Sequence, residues 1–72
     1  MYSISLQNAE HVRRFRIQQA ALHGWEVTSE QDSQVTRQVR YDDWHRVERA
    51  RAVLAVEVEL LRRDGWTESA ER

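Results

Sequence analysis

The stretch Val12-Arg13-Arg14-Phe15-Arg16-Ile17-Gln18-Gln19-Ala20-Ala21-Leu22 decides the fold, because its apolar residues fit two periods. As a helix it would occupy residues 9–23, from Asn8 to Gly24. Val12, Phe15 and Leu22 would then share one side, with Ile17 stranded opposite. As a strand, Arg13, Phe15 and Ile17 line one face and Arg14, Arg16 and Gln18 the other. The residues that follow favour the strand. Trp25–Glu30 and Gln34–Tyr41 both alternate, and the polar Gln31-Asp32-Ser33 between them suits a hairpin loop. In a three-strand meander the polar face would carry Arg14 and Arg16, then Glu26 and Glu30, then Arg40. An acidic central strand between basic neighbours gains about 0.2–1 kcal/mol per cross-strand pair. The helical reading, giving the order α-β-β-α, stands as the alternative. On the apolar face, Trp25 and Val27 belong together, as do Val35, Val39 and Tyr41, with Arg37 breaking the pattern. Ile4 and Leu6 either extend the first strand or pack as an arm.

The C-terminal third predicts a long helix over residues 43–64. Asp42-Asp43 supplies an N-cap, Arg62 and Arg63 oppose the dipole in the last turn, and Gly65 is placed to end the helix. Trp44, Val47, Ala50, Leu54, Val58 and Leu61 form one stripe at helical spacing. Arg51 sits at the edge of that stripe, where its stem can cover apolar surface. Glu59 and Arg63 are spaced for an ion pair. The expected fold is therefore α+β: a three-stranded antiparallel meander (residues 13–19, 25–30 and 34–41) packed against one helix. Trp25 and Trp44 are expected to close edges of the core, and Trp66 either folds back onto it or stands exposed.

Composition bounds the function. Seventy-two residues make one domain, 1–72, with 67–72 expected as a disordered tail. A domain this small buries only about 60% of its unfolded surface. The chain has no cysteine, which excludes disulfides and thiolate metal sites. No apolar run approaches the roughly 20 residues that span a bilayer. The N-terminus lacks the charged and apolar regions of a signal peptide, so a cytoplasmic location is expected and no membrane partner. Eleven basic and twelve acidic residues leave a net charge of −1, and every basic residue is Arg. That balance exerts no overall pull toward nucleic acid.

Nothing in the chain has the spacing of a catalytic or metal centre. His45 has Glu48 three residues on, but a closed metal site needs about four ligands. Asp42 and Asp43 are explained as caps. No enzyme activity, cofactor or small-molecule substrate is expected. The order Phe15-Arg16-Ile17, Gly24-Trp25 and a closing helix before Gly65-Trp66 loosely resembles the layout of WGR domains, which contact nucleic acid in poly(ADP-ribose) polymerases. The family's Trp-Gly-Arg tripeptide is missing, since Glu26 and Val27 follow Trp25. No functional residue is carried over from it.

Three surfaces remain as candidates. Val53, Val56 and Leu60 lie off the core stripe of the helix. Either the N-terminal arm covers them through Ile4 and Leu6, or they form an exposed partner surface, most simply for a homodimer. Trp44, His45, Arg46 and Arg49 gather at the helix start as a recognition patch for an anionic group. Their structural reading is a cap, a core Trp and a paired helix face. Arg14, Arg16 and Arg40 would supply the sheet face of a nucleic-acid-binding accessory domain, with binding that falls steeply with salt. The leading expectation is a small interaction or regulatory module acting through protein contact or self-association.

Overall fold

The computed structural model describes residues 2–69. Strands β1 (Tyr2–Asn8), β2 (His11–Gln19), β3 (Trp25–Gln31) and β4 (Gln34–Tyr41) are followed by helix α1 (Trp44–Arg63) and a short strand β5 (Thr67–Glu68). All pairings are antiparallel, and the sheet runs β4-β3-β2-β1-β5. The deciding segment is thus a strand, and the helical alternative over 9–23 is overturned. Its register explains why. Arg14 stands opposite Glu30, and Glu26 opposite Arg40, while Phe15 and Ile17 point together into the core. A helix would have separated Phe15 from Ile17 by about 160°.

The sheet has five strands rather than the expected three. Ile4 and Leu6 alternate with Ser3, Ser5 and Gln7, and β1 uses that period to lay Leu6 fully into the core. Its turn to β2 leaves Asn8 opposite His11, with Ala9 taking a φ of 54° between them. An alanine at positive φ carries no turn signature in sequence. The β3–β4 turn is better marked: Asp32 and Ser33 both adopt positive φ, as a two-residue hairpin requires. Asp32 also ties the two turns together. Its carboxylate accepts from His11 Nδ1 and from the Val12 amide, each at 2.9 Å, and these bonds hold its pKa below the usual value.

Helix α1 begins and ends where its caps dictate. The Asp43 carboxylate accepts from the His45 amide at 2.9 Å. At the other end the Gly65 amide donates to Arg62 O and the Trp66 amide to Leu61 O, a Schellman turn with Gly65 at φ 100°. That turn reverses the chain and delivers Thr67 and Glu68 to the β1 edge, opposite Gln7 and Leu6. The Ser69 amide donates to Ser5 O at 2.9 Å, and Arg62 pairs with Glu68 at 2.8 Å. Of the residues expected as a tail, 67–69 lie alongside β1, and residues 70–72 lie outside the described residues.

The core is one layer between sheet and helix. Val47, Leu54 and Val58 of α1 close on Leu6, Phe15, Ile17 and Val27, with Tyr2, Ile4, Trp25, Tyr41, Ala50, Leu61 and Trp66 packed around them. Trp66 thus folds back onto the core. Arg51 lays its guanidinium over the Tyr2 ring, 5.4 Å from the centroid. Val35 departs from expectation. A bulge between Ser29 and Glu30 shifts the β4 register, so that Arg37 faces Ser29 and Val35 faces Glu30. The extra residue moves Val35 off the core face, where it is 56% exposed. Arg37 breaks the apolar pattern because it lies beyond the helix's cover.

Candidate interaction surface

The outer flank of α1 presents the most exposed large apolar residues of the helix. Val53, Val56 and Leu60 are 63%, 62% and 56% exposed. Helical spacing places them together, on the flank turned toward the β4 side of the sheet: Val53 and Tyr41 line the same shallow depression, and the opposite flank carries Arg51 against Tyr2. The N-terminal segment does not reach them. Ile4 and Leu6 are consumed on the far side of the sheet, under α1.

Between this flank and β4 runs a groove of about 230 Å³, floored by Val27, Val39, Tyr41, Ala50 and Leu54. Arg13, Arg37 and Glu57 line its far end. Arg13 crosses from the sheet, stacks 5.4 Å from the Phe15 centroid and donates to Glu57 at 3.1 Å. Its Nε is enclosed and has no hydrogen-bond partner among the described residues. The groove falls below the roughly 300–1,000 Å³ of small-molecule pockets. The neighbouring edge of β4 has no strand partner among the described residues, yet it is guarded. Its bulge and its Arg37 and Arg40 are the devices by which edge strands resist pairing. No such guard interrupts Val53, Val56 and Leu60.

The recognition patch at the helix start does not converge. Trp44 and Arg46 lie about 160° apart around the axis. The helix N-terminus is already occupied by the Asp43 carboxylate. Arg46 and Arg49 turn instead toward Tyr41, Ala50 and Val53. His45 is exposed, with Nδ1 at 3.7 Å from Glu48. Trp44 is not the buried seal expected of it. It is 46% exposed and packs on Trp25 with centroids 5.1 Å apart and planes at 58°. The reason is its position about 80° from the centre of the core stripe. Trp44→Ala is accordingly expected to cost about 1–2 kcal/mol, the scale of a half-buried aromatic pair. Thermal melts of the variant and of Trp25→Ala check this, and a loss above 3 kcal/mol (the scale of a buried aromatic) would contradict it.

No family model, curated protein or solved structure matches the chain. Its surfaces must be weighed on their geometry alone. The open sheet face does bring Arg14, Arg16 and Arg40 together on one side, as read from the sequence. Glu26 and Glu30 stand among them on the same face and offset part of their charge. Arg14 lies 3.8 Å from Glu30 and donates to Ser5 Oγ, and Arg40 donates to His23 O at 2.9 Å. Among the described residues, no aromatic stands on that face to stack a base. No group of three or more His, Asp or Glu among the described residues could hold a metal ion. No described helix is long and apolar enough to cross a membrane.

One residue of the α1 flank escaped the sequence reading. The spacing of Arg49, Val53, Val56 and Leu60 continues to the exposed Arg63, so the apolar strip is bounded by Arg at both ends.

Proposed function

We propose that this chain is a non-enzymatic interaction module that binds a protein through the outer flank of α1. The observation that carries the reading is the exposure of Val53, Val56 and Leu60 on a helix whose other apolar stripe packs on the sheet through Val47, Leu54 and Val58. Exposed apolar strips on small domains mark partner sites more often than they occur by chance. The guarded β4 edge and the mixed charge of the sheet face support the same choice. The alternative role in binding nucleic acid has the weaker support, because Glu26 and Glu30 sit among its three arginines.

Replacing Val56 and Leu60 together by Glu is expected to leave melting within about 0.5 kcal/mol of the parent, since both side chains are exposed. The same change should abolish complex formation. A photo-reactive residue at position 56 reads that out in cells expressing the chain. It should give one discrete adduct, lost when Leu60 is also replaced by Glu, while a probe at position 35 on the open face gives none. Equal labelling from both positions would remove the proposal.

A further inference from the structure

Resting on that reading, we infer that the protein partner presents an acidic, extended segment to this flank. The segment seats one large apolar side chain in the groove between α1 and β4 and sets a carboxylate over each end. The groove runs into the shallower depression beside it, the two sharing Tyr41, Ala50 and Val53 as walls. Arginines bound this channel at both ends, Arg13 and Arg37 at one and Arg46 and Arg49 at the other. The apolar strip that rims it runs on to a further exposed arginine, Arg63.

Charge and hydrogen bonding define what the channel lacks. Within about 60° of the strip around α1 stand Arg46, Arg49, Arg63, Glu57, Glu59 and Asp64. With Arg13 and Arg37 from the sheet, five positive charges face three negative ones, on a chain whose net charge is −1. Glu57 is already engaged by Arg13 at 3.1 Å. Arg37, Arg46, Arg49 and Arg63 form no ion pair among the described residues, and Arg13 Nε finds no acceptor there. Carboxylates from a partner supply what is missing, in the charge-assisted geometry that suits a guanidinium. Between the two ends the walls are aliphatic, with Val27, Val39 and Leu54 along the floor. A space of about 230 Å³ takes a single side chain rather than a whole small molecule. Single-stranded nucleic acid is held by stacking on exposed aromatics, and the one aromatic lining the channel, Tyr41, is a half-buried wall.

The length of the channel sets the spacing in the segment. From Arg37 to Tyr41, β4 rises by roughly 13 Å, at about 3.3 Å per residue. An extended chain covers that distance in four steps, with its first, third and fifth side chains on one side. The segment therefore carries an acidic residue two positions to either side of a large apolar one. Its side chains carry the recognition, and the guarded β4 edge gains no new ladder.

Selection of a random peptide library displayed on phage, against the immobilised full chain, tests the inference. Enriched peptides are expected to share a large apolar residue with Asp or Glu two positions to each side. Arg37→Glu/Arg49→Glu replaces two exposed side chains that hold no ion pair, so the variant should melt like the parent. The new charge on β4 still guards its edge. An enriched peptide, made synthetically, is expected to bind the variant at least about tenfold more weakly than the parent, with a smaller difference at high salt. Peptides enriched without an acidic bias, or bound equally by the variant, overturn the inference, as does a selection that yields none. A mixed-sequence single-stranded oligonucleotide that displaces the peptide assigns the channel to phosphate and overturns it too. An adduct at twice the chain's mass from the probe at position 56 names a second copy as the occupant, with the same consequence. Should the inference fail while that probe still yields one discrete adduct, the acidic segment is excluded and the protein-contact role stands.

Discussion

Phe15→Ala is expected to unfold a large fraction of the molecules at room temperature. Phe15 is the largest fully enclosed side chain, at the centre of the sheet between β1 and β3 and beneath α1. Truncating a buried Phe costs about 3–5 kcal/mol, the lost transfer energy plus the cavity left behind. A chain of 72 residues has about 4–11 kcal/mol to lose at the usual stability per residue. The Arg13 guanidinium, stacked on the same ring, would lose its platform as well. Chemical denaturation of parent and variant measures the difference. A change under 1 kcal/mol, smaller than any buried large-to-small aromatic truncation, would mean that Phe15 does not sit in this core.

The second large effect comes from the backbone. Gly24 joins β2 to β3 at φ 83°, and its amide carbonyl accepts from the Ala20 N–H at 3.0 Å. A Cβ there would stand 2.6 Å from the Tyr41 carbonyl oxygen and 3.0 Å from the Asp42 carboxylate. Neither the carbonyl nor the positive φ yields cheaply. Gly24→Ala is therefore expected to cost about 2–4 kcal/mol, the strain of a left-handed alanine added to the shift of the β4–α1 junction. Gly65→Ala makes the control. Gly65 also has positive φ, but its added Cβ would approach nothing closer than 3.8 Å, so only the conformational part of the penalty applies. Equal losses at the two glycines would show that the contact with Tyr41 is unimportant.

The elements that the sequence announced are those whose signals are local. Alternation named β3 and β4, and cross-strand charge pairing chose strand over helix for Arg13–Gln19. Asp43, Gly65 and a single stripe of apolar residues marked α1 to within one residue at each end. Each of these depends on neighbours a few positions away. The candidate surface was legible for the same reason, since helical spacing alone separates Val53, Val56 and Leu60 from the core stripe.

Tertiary structure decided the rest. Only the sheet could settle that Ile4 and Leu6 pair with β2, because the turn that brings them there uses Ala9 at positive φ and carries no glycine to advertise it. Only the Schellman turn, by fixing the direction in which the chain leaves α1, could place Thr67 and Glu68 beside β1. The bulge that turns Val35 outward depends on the pairing of β3 with β4, which no run of β4 residues encodes alone. The exposure of the α1 flank followed from the same event. Once β1 joined the sheet beneath the helix, no segment remained among the described residues to cover Val53, Val56 and Leu60. A sequence can show that an apolar stripe exists, but burial is a property of the surfaces that meet.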